Sequence, residues 1–332
     1  NPEVIAYLEA ENAYREMVMK DTEQLQKDLF EEIVGRIKQD DASVPYKENG
    51  YYYYTRYEEG KEYPVYCRKK GSLEAEEEVM ADVNAMADGH AYFQLSGISV
   101  SPDNRYAVMG IDTVSRRKYT LRIKDLITGE MLEDEIPVTT GEASWANDNK
   151  TIFYTKKDEE TLRSKAVYRH VMGTPASEDV LVFEETDETF ATDVFKSKSK
   201  KYMIIGSEST LTSEYRVLPA DNPEGEFRVV QPRTRGLEYN ISHYGDHFYI
   251  ITNLEATNFR LTKAPVDRPG KENWEEVIPH REDVFLEEIE IFSRYLVVNE
   301  RREGLNHLRV MPWEGSGEHY VEMEEEVYAA WI

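Results

Sequence analysis

Ser101-Pro-Asp-Asn-Arg-Tyr-Ala-Val-Met-Gly-Ile-Asp112 sets a polar turn in front of a short apolar run, and reads as a strand with its own hairpin signal ahead of it. The same grammar returns in Trp145-Ala-Asn-Asp-Asn-Lys-Thr-Ile-Phe-Tyr-Thr155, Lys198-Ser-Lys-Lys-Tyr-Met-Ile-Ile-Gly-Ser207, Tyr244-Gly-Asp-His-Phe-Tyr-Ile-Ile-Thr252 and Ser293-Arg-Tyr-Leu-Val-Val-Asn299. The apolar runs begin at Tyr106, Thr151, Tyr202, Phe248 and Tyr295, in steps of 45, 51, 46 and 47 residues. A second series falls one strand later, an apolar or aromatic residue followed by arginine: Leu121-Arg122, Tyr168-Arg169, Tyr215-Arg216, Phe259-Arg260 and Leu308-Arg309. Two independent markers on one period argue against a sandwich with coincidental strand spacing. A repeat of this length, built of several short strands, predicts β-propeller blades.

The composition bounds the reading. With 332 residues, 40% of them hydrophobic, the chain can bury a sizeable core, and its 23 tyrosines suit half-buried strands. One cysteine, Cys67, excludes an internal disulfide and fits a reducing compartment, so a cytoplasmic location is expected. A net charge of −25, spread along the whole chain, disfavours binding to nucleic acid through a basic face. It suits basic ligands, or a surface that is merely solvated. No stretch approaches the roughly 20 apolar residues of a membrane span, so no membrane partner is expected.

Taken in order, residues 2–38 stand apart. Pro2 suits a first helical turn capped by Asn1, and Ile5, Leu8, Tyr14, Met17 and Val18 recur at near-helical spacing. Asp21 with Gln24 resembles a capping box opening a second helix, whose Leu25, Leu29, Ile33 and Ile37 form one apolar stripe. A helical hairpin in need of an external partner surface is the expectation. Asp40, Asp41 and Pro45 end it, and strands follow at 51–56, 63–68 and 78–80, where Cys67-Arg68 repeats the arginine marker. Further units are expected at about 93–132, 143–185, 191–232, 237–279 and 284–323. Val327-Tyr-Ala-Ala-Trp-Ile332 then reads as the opening strand of another blade. The predicted fold is therefore all-β: a seven-bladed type of propeller, six blades plus the start of a seventh, over residues 45–332, preceded by a helical arm over 1–44.

Several blocks carry a family resemblance: Tyr7-Leu-Glu-Ala-Glu-Asn12, Arg36-Ile-Lys-Gln-Asp-Asp-Ala-Ser-Val-Pro45, Tyr51-Tyr-Tyr-Tyr-Thr-Arg56, Glu62-Tyr-Pro-Val-Tyr-Cys-Arg68, Gly97-Ile-Ser-Val-Ser-Pro-Asp103 and Tyr119-Thr-Leu-Arg-Ile-Lys-Asp-Leu-Ile-Thr-Gly-Glu130. In this order they resemble the oligopeptidase B (protease II) branch of the prolyl oligopeptidase family of serine peptidases. The resemblance implies a seven-bladed propeller, inserted after N-terminal helices, that caps an α/β-hydrolase domain. It also implies cleavage of short peptides after arginine or lysine, with the propeller restricting entry to small substrates. The family's Ser, acid and His lie in the hydrolase domain, so the chain is expected to be inactive alone. Its implied partners are that domain and short basic peptides.

A direct scan for chemistry assigns no catalytic, cofactor-binding or metal-ligating residue. Gly97-Ile98-Ser99-Val100-Ser101 has only the first glycine of a nucleophile elbow and leads into a strand. His243 and His247 flank the turn Tyr244-Gly245-Asp246 and lack the adjacent Glu that a zinc-protease helix requires. Asp40/Asp41 and Glu324-Glu325-Glu326 read as solvated ends of elements, though such runs suit a cation or a basic residue. The marker arginines read either as a ligand-binding ring or as partners of the abundant carboxylates on the outward side of each strand. Two functions remain open: the gating part of a serine oligopeptidase, or a stand-alone propeller that binds a peptide or protein without catalysis.

Overall fold

The computed structural model describes residues 1–332, which divide into two compact units, Asn1–Asp88 and Gly89–Ile332. The first opens with helix α1 (Pro2–Met19), a single 3-10 turn (Lys20–Thr22) and helix α2 (Glu23–Gly35). Asn1 caps α1 as expected, its Oδ1 accepting from the Glu3 N–H at 3.0 Å. The expected hairpin is corrected. Lys20 (φ −55°, ψ −38°) and Glu23 (φ −57°, ψ −43°) keep helical angles, so the backbone tightens for one turn and continues instead of reversing. No glycine lies at 19–23 to supply a left-handed exit. The capping box is absent as well: the Thr22 hydroxyl donates back to the Met19 carbonyl at 2.6 Å, and Gln24 Nε2 reaches forward to Asp28 Oδ1 at 2.7 Å. Neither helix buries a side chain, and Leu25, Leu29, Ile33 and Ile37 all stand exposed.

Strands β1 (Tyr46–Glu48), β2 (Tyr51–Arg56), β3 (Val65–Lys70) and β4 (Glu77–Asp82) complete this unit as an antiparallel sheet in sequence order. Asn49 (φ 46°) and Gly50 (φ 81°) make its first hairpin, the pair of positive φ angles that a two-residue loop demands.

The second unit repeats this meander. Strands β5 (Gln94–Val100), β6 (Tyr106–Asp112), β7 (Tyr119–Asp125), β8 (Met131–Trp145), β9 (Thr151–Lys157), β10 (Ser164–Val171) and β11 (Val180–Glu184) form one seven-stranded sheet. Three four-stranded sheets follow: β12 (Ala191–Lys196), β13 (Tyr202–Ser209), β14 (Thr212–Pro219) and β15 (Arg228–Val229); β16 (Tyr239–Tyr244), β17 (His247–Thr252), β18 (Arg260–Pro265) and β19 (Glu275–Ile278); β20 (Phe285–Ile291), β21 (Tyr295–Arg302), β22 (Leu305–Pro312) and β23 (His319–Tyr320). The first marker series lands in β6, β9, β13, β17 and β21. The arginine series lands in β7, β10, β14, β18 and β22, with Phe259 just ahead of β18.

The seven-stranded sheet corrects one boundary. Units expected to end at 132 and restart at 143 share the single strand β8, whose first half pairs with β7 (Leu121↔Ile136, Arg122↔Glu135) and whose second half pairs with β9 (Ala143↔Tyr154, Trp145↔Ile152). Pro137 and Gly141 lie inside it at a bend, where Val138 at φ 61° and Gly141 at φ +96° turn the strand while pairing resumes on its other edge. Residues 327–332, expected as an opening strand, form none. No neighbouring edge pairs with their backbone, and Val327 and Trp331 are exposed.

The core of this unit is a series of interfaces between successive repeats. Val108 and Leu121 meet Trp145 and Ile152; Phe153 and Val167 meet Met203 and Ile205; Ile204 and Val217 meet Phe248 and Ile250; Ile251 and Leu261 meet Ile289 and Leu296. Each sheet thus buries its faces against its neighbours, which is how propeller-type repeats satisfy the hydrophobic effect without a common centre. No helix is long and apolar enough to cross a membrane.

Candidate functional site

The turn that opens the repeat motif also organises its rim. In the first such turn Ser101 Oγ accepts the Tyr106 N–H at 2.9 Å, and Asn104 takes φ 63°. Asn149 (φ 60°) and Lys200 (φ 61°) hold the same left-handed position one and two repeats later. Each turn is then tied to the next. The Asp103 N–H donates to Asn149 Oδ1 at 2.9 Å, and Asn147 Nδ2 donates to the Lys200 carbonyl at 3.0 Å. Ser199 Oγ meets His243 Nδ1 at 2.8 Å, and the Tyr244 hydroxyl donates to the Ser293 carbonyl at 2.9 Å. A girdle of polar bonds therefore runs along one rim of the five repeats.

Under this girdle the first strands of three sheets, β12, β16 and β20, border a cleft of about 130 Å³. Phe195, Ile204, Ile241 and Ile291 give it apolar walls, while Lys196, Ser197, Lys198, Ser242, His243 and Glu290 give it polar edges. The Lys198 ammonium pairs with Glu290, two repeats away, and lies 3.9 Å from the centre of the Phe292 ring. Burial pushes the pKa of His243 down, aided by the charge of Lys201, so its ring stays neutral between Ser199 and the edge contacts of Tyr202 and Phe248. Two lysines, one carboxylate and an apolar floor make a recognition geometry, and the imidazole–hydroxyl contact beside it, His243 Nδ1 with Ser199 Oγ at 2.8 Å, belongs to the rim bonds.

The first strands also carry a level of exposed polar residues: Glu142 on β8, Asp193 on β12, Asn240 on β16 and Glu288 on β20, in steps of 51, 47 and 48 residues. In the ladders they stand beside the second strands at matching heights, Asp193↔Gly206, Asn240↔Ile251 and Glu288↔Asn299. Asp193 presents an open surface, yet protein crowds its carboxyl. That desolvation first, then the Glu208 and Glu142 carboxylates, push its pKa up to about 6.

The candidates singled out from the sequence fall mostly into structural roles. Marker arginines pair with glutamates, mostly on the next strand: Arg68 with Glu78 (2.7 Å), Arg122 with Glu135 (3.0 Å), Arg260 with Glu276 (3.6 Å) and Arg309 with Glu318 (2.6 Å). Arg216 pairs with Glu214 of its own strand at 2.6 Å, and Arg169 donates to the Pro223 carbonyl at 2.9 Å. Carboxylates thus hold Arg68, Arg122, Arg216, Arg260 and Arg309, while Arg169 is held by a carbonyl. Ser99 lies in β5, where its carbonyl accepts from Trp145 Nε1 at 2.9 Å. His243 and His247 sit across one hairpin, opposite Phe248 and Tyr244. Asp41 pairs with Lys38 at 2.9 Å, both exposed, and Glu324, Glu325 and Glu326 are exposed. The cleft and the acidic level went unread, although the first-strand residues recur at the same period as the two markers.

The model for the prolyl oligopeptidase N-terminal β-propeller domain matches residues 1–332. Dipeptidyl aminopeptidase BI of Pseudoxanthomonas mexicana is 44% identical over 99% of this chain and 47% of its own length. Protease 2 of Moraxella lacunata is 33% identical over 94% and 46%. Among solved structures, oligopeptidase B from Leishmania major superposes with a TM-score of 0.92 at 34% identity, covering 99% of this chain and 48% of that one. Oligopeptidase B from Trypanosoma brucei, in a closed form with covalently bound antipain, gives 0.90 at 26% identity. The chain spans about half the length of these relatives. With repeated meanders, a bonded rim and a whole-chain match in agreement, the chain belongs to the prolyl oligopeptidase family, as its N-terminal β-propeller domain.

Proposed function

We propose that residues 1–332 are the non-catalytic, substrate-admitting part of a serine-type oligopeptidase, acting with an α/β-hydrolase domain that supplies the Ser, acid and His. The observation that carries this reading is the pairing of a propeller match over the whole chain with relatives, named as peptidases, of which it covers under half. In this reading residues 1–44 are an arm that packs on the hydrolase domain, as the unpartnered Leu25, Leu29 and Ile33 suggest. Residues 45–332 give six blades, with 327–332 joining a seventh once its other strands are present. The substrates are short peptides cut after Arg or Lys. A net charge of −25 and the carboxylates of Glu142, Asp193 and Glu288 on the first strands suit such cations. The expected compartment is the cytoplasm, consistent with a single buried thiol, Cys67.

The 44% identity to a dipeptidyl aminopeptidase favours a second reading of the substrate, release of dipeptides from a free amino terminus. Full-length protein assayed on a blocked Arg-linked chromogenic amide and on an unblocked dipeptidyl amide separates the two. The first reading expects turnover of the blocked amide, the second only of the unblocked one. Residues 1–332 alone are expected to turn over neither. A full-length protein inactive on both, yet binding peptides, would establish a binding propeller instead.

A further inference from the structure

His170, on β10, is fully buried, and both its ring nitrogens face carboxylates. Nε2 lies 2.9 Å from Asp134 Oδ1, and Nδ1 lies 2.6 Å from Asp179 Oδ1. Both carboxylates are themselves shielded from solvent, 2% exposed in their side chains. Asp134 Oδ1 also accepts the Gly173 N–H at 2.6 Å, and Asp179 Oδ2 accepts the Tyr154 hydroxyl at 2.7 Å. The titratable groups facing the ring are thus Asp134 from β8, Asp179 from the loop ahead of β11 and, through Asp179, Tyr154 from β9, whose own ring stacks on Tyr168 at 5.8 Å. Three repeat elements meet at this one imidazole.

A neutral imidazole has a single N–H, so it can serve only one of two acceptors. Its bare nitrogen would then point a lone pair at a carboxylate oxygen within hydrogen-bond distance, too close for anything to sit between them. One extra proton removes the conflict. Placing it on a carboxyl would discharge an acceptor that already holds a backbone N–H or a tyrosine hydroxyl, whereas placing it on the ring makes both contacts charge-assisted. We propose that His170 is held as an imidazolium, and that this trapped proton is the clasp tying the loop 172–179 to the strand shared by two repeats.

The pKa of the ring agrees in direction. Burial alone pulls it down, but the hydrogen bonds and charges of Asp179 and Asp134 outweigh burial and leave it raised. Burial likewise keeps the Tyr154 hydroxyl protonated and donating. The sign of the coupling follows. A raised histidine gives stability that is present in full below its unfolded value near 6.5 and is lost as pH climbs through the folded one. The clasp is therefore released by alkali and tightened by acid, opposite to a site built on lowered carboxylates.

Nitrogen-15 spectra of the full-length protein, labelled in its histidine rings and recorded as a solid at pH 8.5, test this. The expected result is one ring with both nitrogens protonated that disappears in His170→Gln. In Asp134→Asn the same ring should fall to one protonated nitrogen. If His170→Gln does not fold, the signal altered by Asp134→Asn makes the assignment. A wild-type His170 signal with one bare nitrogen at pH 8.5 would overturn the proposal. So would a melting difference between wild type and His170→Gln that grows from pH 7 to pH 10.

Discussion

At the scale of single residues, the tightest constraint in the second unit is a pair of glycines. A Cβ built on Gly110 would lie 2.2 Å from the Gly141 carbonyl oxygen, which already accepts the Ser96 hydroxyl at 2.6 Å. Both groups are backbone or held by backbone, so Gly110→Ala should cost about 2 to 3 kcal/mol, read as a lower melting temperature. Asp193 gives the opposite sign of effect. Its carboxyl is protonated more readily folded, at about 6, than at the ordinary 3.8, so a stability penalty is present in full above pH 6 and vanishes below pH 4. Asp193→Asn should stabilise by about 1 kcal/mol at pH 8, after discounting for its solvent contact, and by nothing measurable at pH 4. A gain that is equal at both pH values would assign the effect to packing.

Among elements, the strands were legible because side chains alternate across a sheet and the turn chemistry repeats with them, so Tyr106, Thr151, Tyr202 and Tyr295 each open a strand. The helical hairpin was misread. Lys20-Asp21-Thr22 holds residues that suit a cap and a helix equally, and only backbone angles distinguish a tightened turn from a reversal. The join at β8 was hidden for a related reason, since Pro137 and Gly141 carry the same signal for a bend as for an end. The cleft under the rim needs three sheets brought together, which no local pattern encodes. The helices themselves offer a clean experiment. Because neither buries a side chain within these residues, Leu29→Ser with Ile33→Ser should change the stability of residues 1–332 by under about 0.5 kcal/mol. In the full-length protein the same pair should lower the melting temperature and activity if the arm packs on a hydrolase domain, and an unchanged full-length protein would remove that packing from the proposal.

For the whole molecule, the bonded rim and the chain of inter-repeat cores mean that the second unit is held by neighbour contacts, as repeat proteins are. Their stability is ordinarily a sum of near-independent modules, with each repeat free to open at its own cost. Strand β8 removes that freedom at one place. Residues 131–145 supply the last strand of one repeat and the first of the next, so neither can detach without stripping an edge from the other. Two neighbouring modules are thereby fused into a single quantum of unfolding, about twice the size of those after it. A shuffling event that exchanged repeats between such proteins would have to move this pair together, and the smallest heritable part of the propeller here is a double one.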